Sequence, residues 1–283
     1  MRQEERRMYL IKELQKEMPE YAGYPVPADE QGQRDFLRGL FNVRPARPAS
    51  EEFTGVQDAY LKERAREKGI TDAAGLSPVP SDERLILWQG DITTLRCDAI
   101  VNAANETMTG CWRWCHTCVD NLIQSYSGYQ TRRDCAAYME EMRRTKGEEY
   151  MQPTAVPMIT SAYNLPSKYI IHVVGPIAVP FLKREHKKQL AECYRASLDL
   201  AAEHGCSSIA FCCISTGVFM FPQDKAAEIA VRTVKAWLDE HPESCMKKVI
   251  FNVFKDSDLR IYQDLLGVRD THEPGKMLKH LDI

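Results

Sequence analysis

Nothing in this chain is apolar for long enough to cross a membrane, because no stretch approaches the ~18–20 consecutive apolar residues that a spanning helix needs. The N-terminus, MRQEERRMYLIKELQKEM, lacks the uninterrupted apolar run of a secretory leader. A cytoplasmic chain with no membrane role is therefore expected. Positive charge is not in excess: 37 Lys and Arg stand against 40 Asp and Glu, a net charge of −3. That balance argues against a surface that tracks nucleic-acid phosphates. Internal repeats and low-complexity tracts are absent. What remains is an ordinary globular composition, 44% hydrophobic and 27% charged over 283 residues, enough for one large domain or a domain with a smaller extension. Cysteine is the one residue in generous supply. Ten of them, two in the apolar context of Cys212 and Cys213, read as reduced thiols in a cytosol-like compartment, so a local cluster suggests metal rather than disulfides.

Residues 1–80 read as a helical extension packed on the main domain. Tyr9, Leu10, Leu14 and Met18 recur at helical spacing, as do Leu37, Leu40 and Phe41, then Phe53, Val56, Tyr60 and Leu61. Gly69 is a plausible helix stop, and the proline-bearing stretch 43–50 separates two of the helices. From Arg84 the pattern changes to short apolar strands, expected at 85–88, 99–103, 155–161, 169–174, 208–214 and 248–254. Helices are expected between them at 117–126, 132–146, 185–204 and 223–238, with a last one at 256–266. Such alternation argues for a mostly parallel or mixed sheet covered on both faces. The domain is set at 81–270, with a polar tail at 271–283.

The chain is organised around GDITTLRCDAIVNAANETMTGCWRWCHTCVDN, residues 90–121. An apolar strand runs into an Asn pair, Asn102 and Asn105, and then into a loop dense in Cys and His. Loops at the carboxyl ends of strands are where open α/β sheets build ligand sites. Cys111, His116 and Cys118 give the spacing C-x4-H-x-C. Three such ligands can converge on one Zn²⁺ and leave the fourth position open, as catalytic zinc sites do. The alternatives are a disulfide between Cys111 and Cys118, or a closed structural site with Cys115 as fourth ligand. Much further on, Ser215, Thr216, Gly217, Val218 and Phe219 follow a buried strand and precede a helix. Small residues there can aim backbone N–H groups at one point and cradle an anion without Lys or Arg, although Ser-Thr-Gly also makes an ordinary loop.

GDIT followed by VNAAN, with ISTGVFMFP at 214–222, resembles the macrodomains, whose fold is an ADP-ribose-binding α/β/α sandwich. The insert resembles one branch, the zinc-containing macrodomains, which carry G-C-x4-H-x-C-[IV]-D-N; here that signature runs from Gly110 to Asn121. The resemblance covers roughly residues 84–267, and the N-terminal extension also resembles that of the zinc branch. It implies a three-layer α/β/α fold with a mixed central sheet. It also implies that Asp91 and Ile92 hold the adenine end of ADP-ribose, with Phe254 stacked on the base. Residues 215–219 would hold the diphosphate, with Phe219 near the distal ribose, and Asn105 would orient that ribose. Asp120 matches the loop aspartate of hydrolytic macrodomains and would orient or deprotonate a water, making Asp120 and Asn105 the catalytic pair. Asn102 is read as a loop brace and His172 as a satisfied core histidine.

Each position also has a plainer reading. Asp91 can simply cap a turn, Asp120 can sit in the first turn of a helix, and Phe254 can be core. The function this implies is zinc-dependent removal of mono-ADP-ribose from a modified protein, through an ester to Asp or Glu, by a monomer. Zinc macrodomains are associated with a sirtuin-type ADP-ribosyltransferase and a lipoate-linked carrier protein, which the resemblance offers as partners. The rival function is a reader that holds ADP-ribose without cutting it, with a structural zinc.

Overall fold

The computed structural model describes residues 1–268; the tail expected at 271–283 lies outside the described residues. Three helices come first: α1 (Gln3–Glu17), α2 (Glu30–Val43) and α3 (Glu51–Lys68). Side-chain oxygens start two of them. Asp29 accepts from the Gly32 amide at 2.8 Å, and Ser50 from the Phe53 amide at 3.1 Å, each satisfying a donor that the first helical turn leaves free. The stripes Leu10/Leu14/Met18, Leu37/Leu40/Phe41 and Phe53/Tyr60/Leu61 close on one another as a separate buried core. Each side chain so buried is worth about 1.5–3 kcal/mol.

The extension does not end in a helix alone. A two-residue strand, β1 (Thr71–Asp72), pairs in parallel with β3 (Leu95–Arg96) and stitches the extension to the main domain. Two residues are too few for periodicity to reveal.

The main sheet contains β2 (Leu85–Gln89), β4 (Ala99–Ala104), β5 (Met158–Ser161), β6 (Tyr169–Val174), β7 (Ser208–Phe211) and β8 (Lys248–Val253). Their order is β2-β8-β7-β4-β6-β5, all parallel except β5, which runs antiparallel on the edge. The helices are α4 (Val119–Ser127), α5 (Tyr129–Lys146), α6 (Arg184–Glu203), α7 (Gln223–Glu240) and α8 (Asp256–Leu266). With helices covering the sheet on both faces, this is the three-layer α/β/α arrangement, and its strands read as near-continuous apolar runs because both faces are buried. β4 and β6, for example, bury Ile100, Val101, Ile170 and Ile171 completely.

Several expected boundaries shift for local reasons. The strand expected at 155–161 begins only at Met158, because Ala155 has φ 63° and Pro157 has no N–H to give a neighbour. The strand expected at 208–214 leaves the sheet after Phe211; Cys212–Ile214 turn away into a loop that Ser215 bends with φ 66°. The helix expected at 117–126 starts at Val119, capped by Cys118. The one expected at 132–146 starts at Tyr129, straight after Gly128 with φ 99°, a left-handed conformation that glycine adopts without strain.

Candidate active site

Parallel strands point their carboxyl ends to one edge of the sheet, so the loops after β2, β4, β6, β7 and β8 all emerge there. A cavity of ≈ 440 Å³ lies at that edge. It is lined by Asp91 and Ile92 after β2, by Ser215, Thr216, Gly217, Val218 and Phe219 after β7, by Phe254 after β8, and by His116 and Cys118. These expected ligand residues thus come together in one place; Asn105, Cys111 and Asp120 are not among the lining residues.

Phe254 follows directly on β8 and is 42% exposed, so it is a wall of the cavity and not core. Asp91 caps a turn, its plainer reading, and also holds an ion pair. Its Oδ1 caps the following turn through the Thr93 amide (2.9 Å) and hydroxyl (2.6 Å), while Oδ2 meets Lys68 Nζ from α3 at 3.0 Å. Burial alone would push its carboxyl up; the Lys68 charge and the Thr93 donors outweigh that and hold it below the usual carboxylate value.

The loop after β7 is a tight turn. The Thr216 hydroxyl donates to the Cys213 carbonyl at 2.9 Å, and the Phe221 amide to the Ser215 carbonyl at 3.0 Å. Among the described residues, the amides of Gly217, Val218 and Phe219 donate to no protein acceptor. The Ser215 hydroxyl is buried without a partner, pressed against Gly175, where a Cβ would come to 2.1 Å of it. Free N–H groups in a turn that lines a cavity are what an anion such as a diphosphate requires.

Asp120 is only 4% exposed, and both its oxygens are taken: Oδ1 accepts from Asn102 Nδ2 at 2.8 Å, Oδ2 from Asn105 Nδ2 at 3.2 Å. Burial pushes its carboxyl up to about 6, against the lowering effects of Asn102, Arg132 and Asn105. Its carboxylate accepts from these two amides and fixes how they point. The other end of Asn105 accepts from the Thr107 amide and hydroxyl at 3.0 and 2.6 Å. Behind Asn102 lies His172, fully buried, with Nδ1 3.1 Å from the Asn102 amide nitrogen and Nε2 3.0 Å from Thr160 Oγ1. Burial pushes its pKa down to about 3, so it is a neutral brace of this network.

The Cys-rich loop brings Cys111 Sγ, a His116 ring nitrogen and Cys118 Sγ within 4.8 Å of one another. A tetrahedral zinc holds thiolates at ~2.3 Å and imidazole at ~2.0–2.1 Å, so two thiols and an imidazole at this spacing suit that ion with slight contraction. Burial pushes the Cys118 thiol up to about 12, a cost that a bound dication would offset. All ten cysteines are free, so Cys111 and Cys118 are not a disulfide. Cys115 turns away from the cluster and donates to the Asp35 carbonyl at 3.3 Å.

What holds the loop is the N-terminal extension. Arg38 of α2 donates to the His116 carbonyl at 2.7 Å and to Asn121 Oδ1 at 3.2 Å; Asn42 donates to the Cys111 carbonyl at 2.6 Å. Asn121 closes the ring by donating to the Arg113 carbonyl at 2.9 Å. Trp114 stacks on Tyr21 at 5.3 Å between centroids and lies against Gly39, where a Cβ would come within 2.2 Å of the indole. The indole thus pins the loop to α2. Groups that orient metal ligands typically contribute 10–100-fold to affinity. Arg38→Met removes a buried charge and both of its contacts, so we expect zinc affinity, measured by competition with a chromophoric chelator, to fall ~10–100-fold with the helical signal retained. An unchanged affinity would mean that α2 is packing alone.

The sequence did not single out Asn252, Lys255, Asp258 or Leu122, all of which line the cavity. Asn252 was readable: it is the one polar residue inside the apolar run VIFNVF, and it donates to the Gly90 carbonyl at 2.9 Å, steadying the turn that carries Asp91.

The Macro domain family model matches residues 101–230. A protein-ADP-ribose hydrolase of Treponema medium is 50% identical over 94% of this chain and 100% of its own length. A protein-ADP-ribose hydrolase of Staphylococcus aureus (strain MSSA476) is 45% identical over 90% of this chain and 93% of its own length. A probable bifunctional ADP-ribose hydrolase/ADP-ribosyltransferase of Fusarium oxysporum f. sp. cubense is 38% identical over 83% of this chain, which spans 41% of that longer protein. Among solved structures, the Trypanosoma brucei macrodomain in complex with ADP-ribose aligns with TM-score 0.61 at 28% identity, over 81% of this chain and 95% of that one. The Oceanobacillus iheyensis macrodomain, as a mutant with ADPR, aligns with TM-score 0.56 at 36% identity, over 65% of this chain and 91% of that one.

Proposed function

Because this chain belongs to the macrodomain family, we propose that it is a zinc-dependent protein-ADP-ribose hydrolase that frees mono-ADP-ribose from Asp or Glu esters. One observation carries the reading: His116 and Cys118 line the same cavity as the unpaired amides of Gly217, Val218 and Phe219. A reader has no use for metal ligands that face its ligand.

The exposed ring of Phe254 offers a stacking face for adenine, and Asp91 offers the remaining lone pairs of its carboxylate to the adenine amino group. The turn at 217–219 receives the diphosphate. Asn105 stands behind the distal ribose in an orientation fixed by Thr107 on one side and Asp120 on the other. Asp120 is thus a positioning residue. Cys111, His116 and Cys118 would hold the zinc, which supplies a Lewis acid or a metal-activated water at near-neutral pH. The ester reading follows from the leaving group. A carboxylate departs as a stable anion at pH 7 and needs no general acid, and the buried Asp120 is not placed to be one.

The Fusarium relative's two activities in one chain support coupling to an ADP-ribosyltransferase. The sirtuin-type enzyme and a lipoate-linked carrier protein are the partners the sequence resemblance points to. The ten reduced cysteines fit a cytoplasmic setting, and we take the working unit to be a monomer.

The test is ADP-ribose release from a glutamate-modified protein before and after chelation, with zinc added back. Circular dichroism and ADP-ribose binding are followed on the same samples. Release lost on chelation and restored by zinc, with fold and binding intact, is the expected result. Tight ADP-ribose binding without release from the zinc-loaded protein would leave a reader.

A further inference from the structure

The rim of this cavity carries more exposed apolar surface than a site for a free nucleotide requires. After β6 the chain runs through GPIAVPFLK, and the Ala178 amide donates to the Phe219 carbonyl at 2.9 Å, tying this segment to the turn that lines the cavity. On either side of that bond, Ile177, Val179 and Phe181 are each more than half exposed, Phe181 at 75%. Val218 and Met220, flanking Phe219 on the other strand of the contact, are exposed to a similar degree. Five large exposed apolar side chains thus sit on two joined segments, one of which lines the cavity through Val218, whereas exposed apolar residues on a soluble surface are normally scattered. The segment is not loose at its far end, since Leu182 packs against the main core.

Immediately beyond, the chain turns basic. Lys183, Arg184, Lys187 and Lys188 are exposed, and among the described residues none of them forms an ion pair. The protein as a whole is slightly acidic, so this concentration of unpaired cations is local.

We propose that this patch is the docking surface for the protein that carries the ADP-ribose, and that the partner presents an acidic surface with exposed apolar side chains beside the modified residue. The inference rests on the hydrolase reading above. It follows from continuity: a chain whose modified side chain leads ADP-ribose into the cavity lies across the cavity mouth, where these loops stand. Apolar side chains at the centre supply contact area, while the flanking cations set register and speed the encounter.

The probes are two synthetic peptides, each ADP-ribosylated on a glutamate, one with acidic and apolar flanks and the other with basic, polar flanks. Hydrolysis and binding by fluorescence anisotropy are measured for both, alongside calorimetric binding of free ADP-ribose. We expect the acidic, apolar peptide to be preferred ~10-fold or more in kcat/KM, and the preference to shrink with added salt. The double variant Ile177→Ser/Phe181→Ser should raise KM for that peptide ~10-fold, leaving kcat and the affinity for free ADP-ribose within about twofold. Lys187→Glu/Lys188→Glu should abolish the salt dependence. Equal treatment of the two peptides by the native protein, or an equal loss on both in the variants, overturns the proposal. Retained preference in anisotropy with no hydrolysis of either peptide would uphold the docking surface and sink the hydrolase reading instead.

Discussion

Cys118→Ser is expected to abolish zinc binding and lower kcat/KM by ~10²-fold or more, while the metal-free protein unfolds at the same temperature as the metal-free native chain. The separation is possible because Cys118 has two duties. Its Sγ accepts from the Asn121 amide at 3.5 Å as the N-cap of α4, and it is one of the three clustered ligand atoms. A serine hydroxyl is at least as good a cap but a poor zinc ligand beside a thiolate. The helix therefore keeps its start and the metal loses a ligand. Metal activation is worth several kcal/mol of transition-state stabilisation, and each 1.36 kcal/mol is tenfold in rate, which gives the magnitude. The native protein alone should gain stability on adding zinc, by about 4 kcal/mol at a thousand times Kd. Metal analysis, steady-state kinetics and thermal melts with and without zinc make the measurement. Full activity in a zinc-free Cys118→Ser protein would remove the metal from the reaction.

Arg132→Met should be the most damaging single change to stability away from the apolar core, at about 3–5 kcal/mol, or a fall in Tm on the order of 10 °C for a chain of this size. Arg132 is 3% exposed at the junction of extension, loop and main domain. Its Nε donates to the Thr109 carbonyl at 2.9 Å, ahead of the metal loop. Its Nη1 donates to the Arg44 carbonyl at 2.7 Å and the Phe41 carbonyl at 3.4 Å, where α2 ends. The guanidinium also lies over Trp112, 4.2 Å from the ring centroid. Burial pushes its pKa down to about 10, the Asp120 charge opposing that shift, so removing it leaves a buried carboxylate with less compensation. Methionine fills the space but returns none of the donors, and an unsatisfied buried carbonyl costs about 1–3 kcal/mol. Urea unfolding followed by tryptophan fluorescence reads the effect, since Trp112 and Trp114 report the loop. A loss under ~1 kcal/mol would show that the junction is held by its remaining contacts, among them Gln57–Gln130 at 2.9 Å and Asn164–Asp58 at 2.9 Å.

The sequence by itself determined the layering of this protein. Period-3.6 stripes at Leu10/Leu14, Leu37/Leu40/Phe41 and Phe53/Tyr60/Leu61 require helices that bury one face, and they form one core. Short, mostly apolar runs such as 169–174 between helices require a sheet covered on both sides, and that is the sheet found. The clustering of Cys111, His116 and Cys118 was equally local, a matter of spacing within one loop. Only the tertiary structure decided what each polar side chain faces, because a hydrogen-bond partner distant in sequence leaves no periodic trace. Asp120 read as a group beside water, and nothing in the sequence pointed to the two amides it holds, those of Asn102 and Asn105, 18 and 15 positions away along the chain. Phe254 read equally as core or wall until the end of β8 placed it in the cavity. The largest omission was the role of the extension. Nothing in the sequence marked Arg38 and Asn42, and only packing α2 against a loop 78 and 69 residues further on made them the donors that hold the carbonyls of His116 and Cys111.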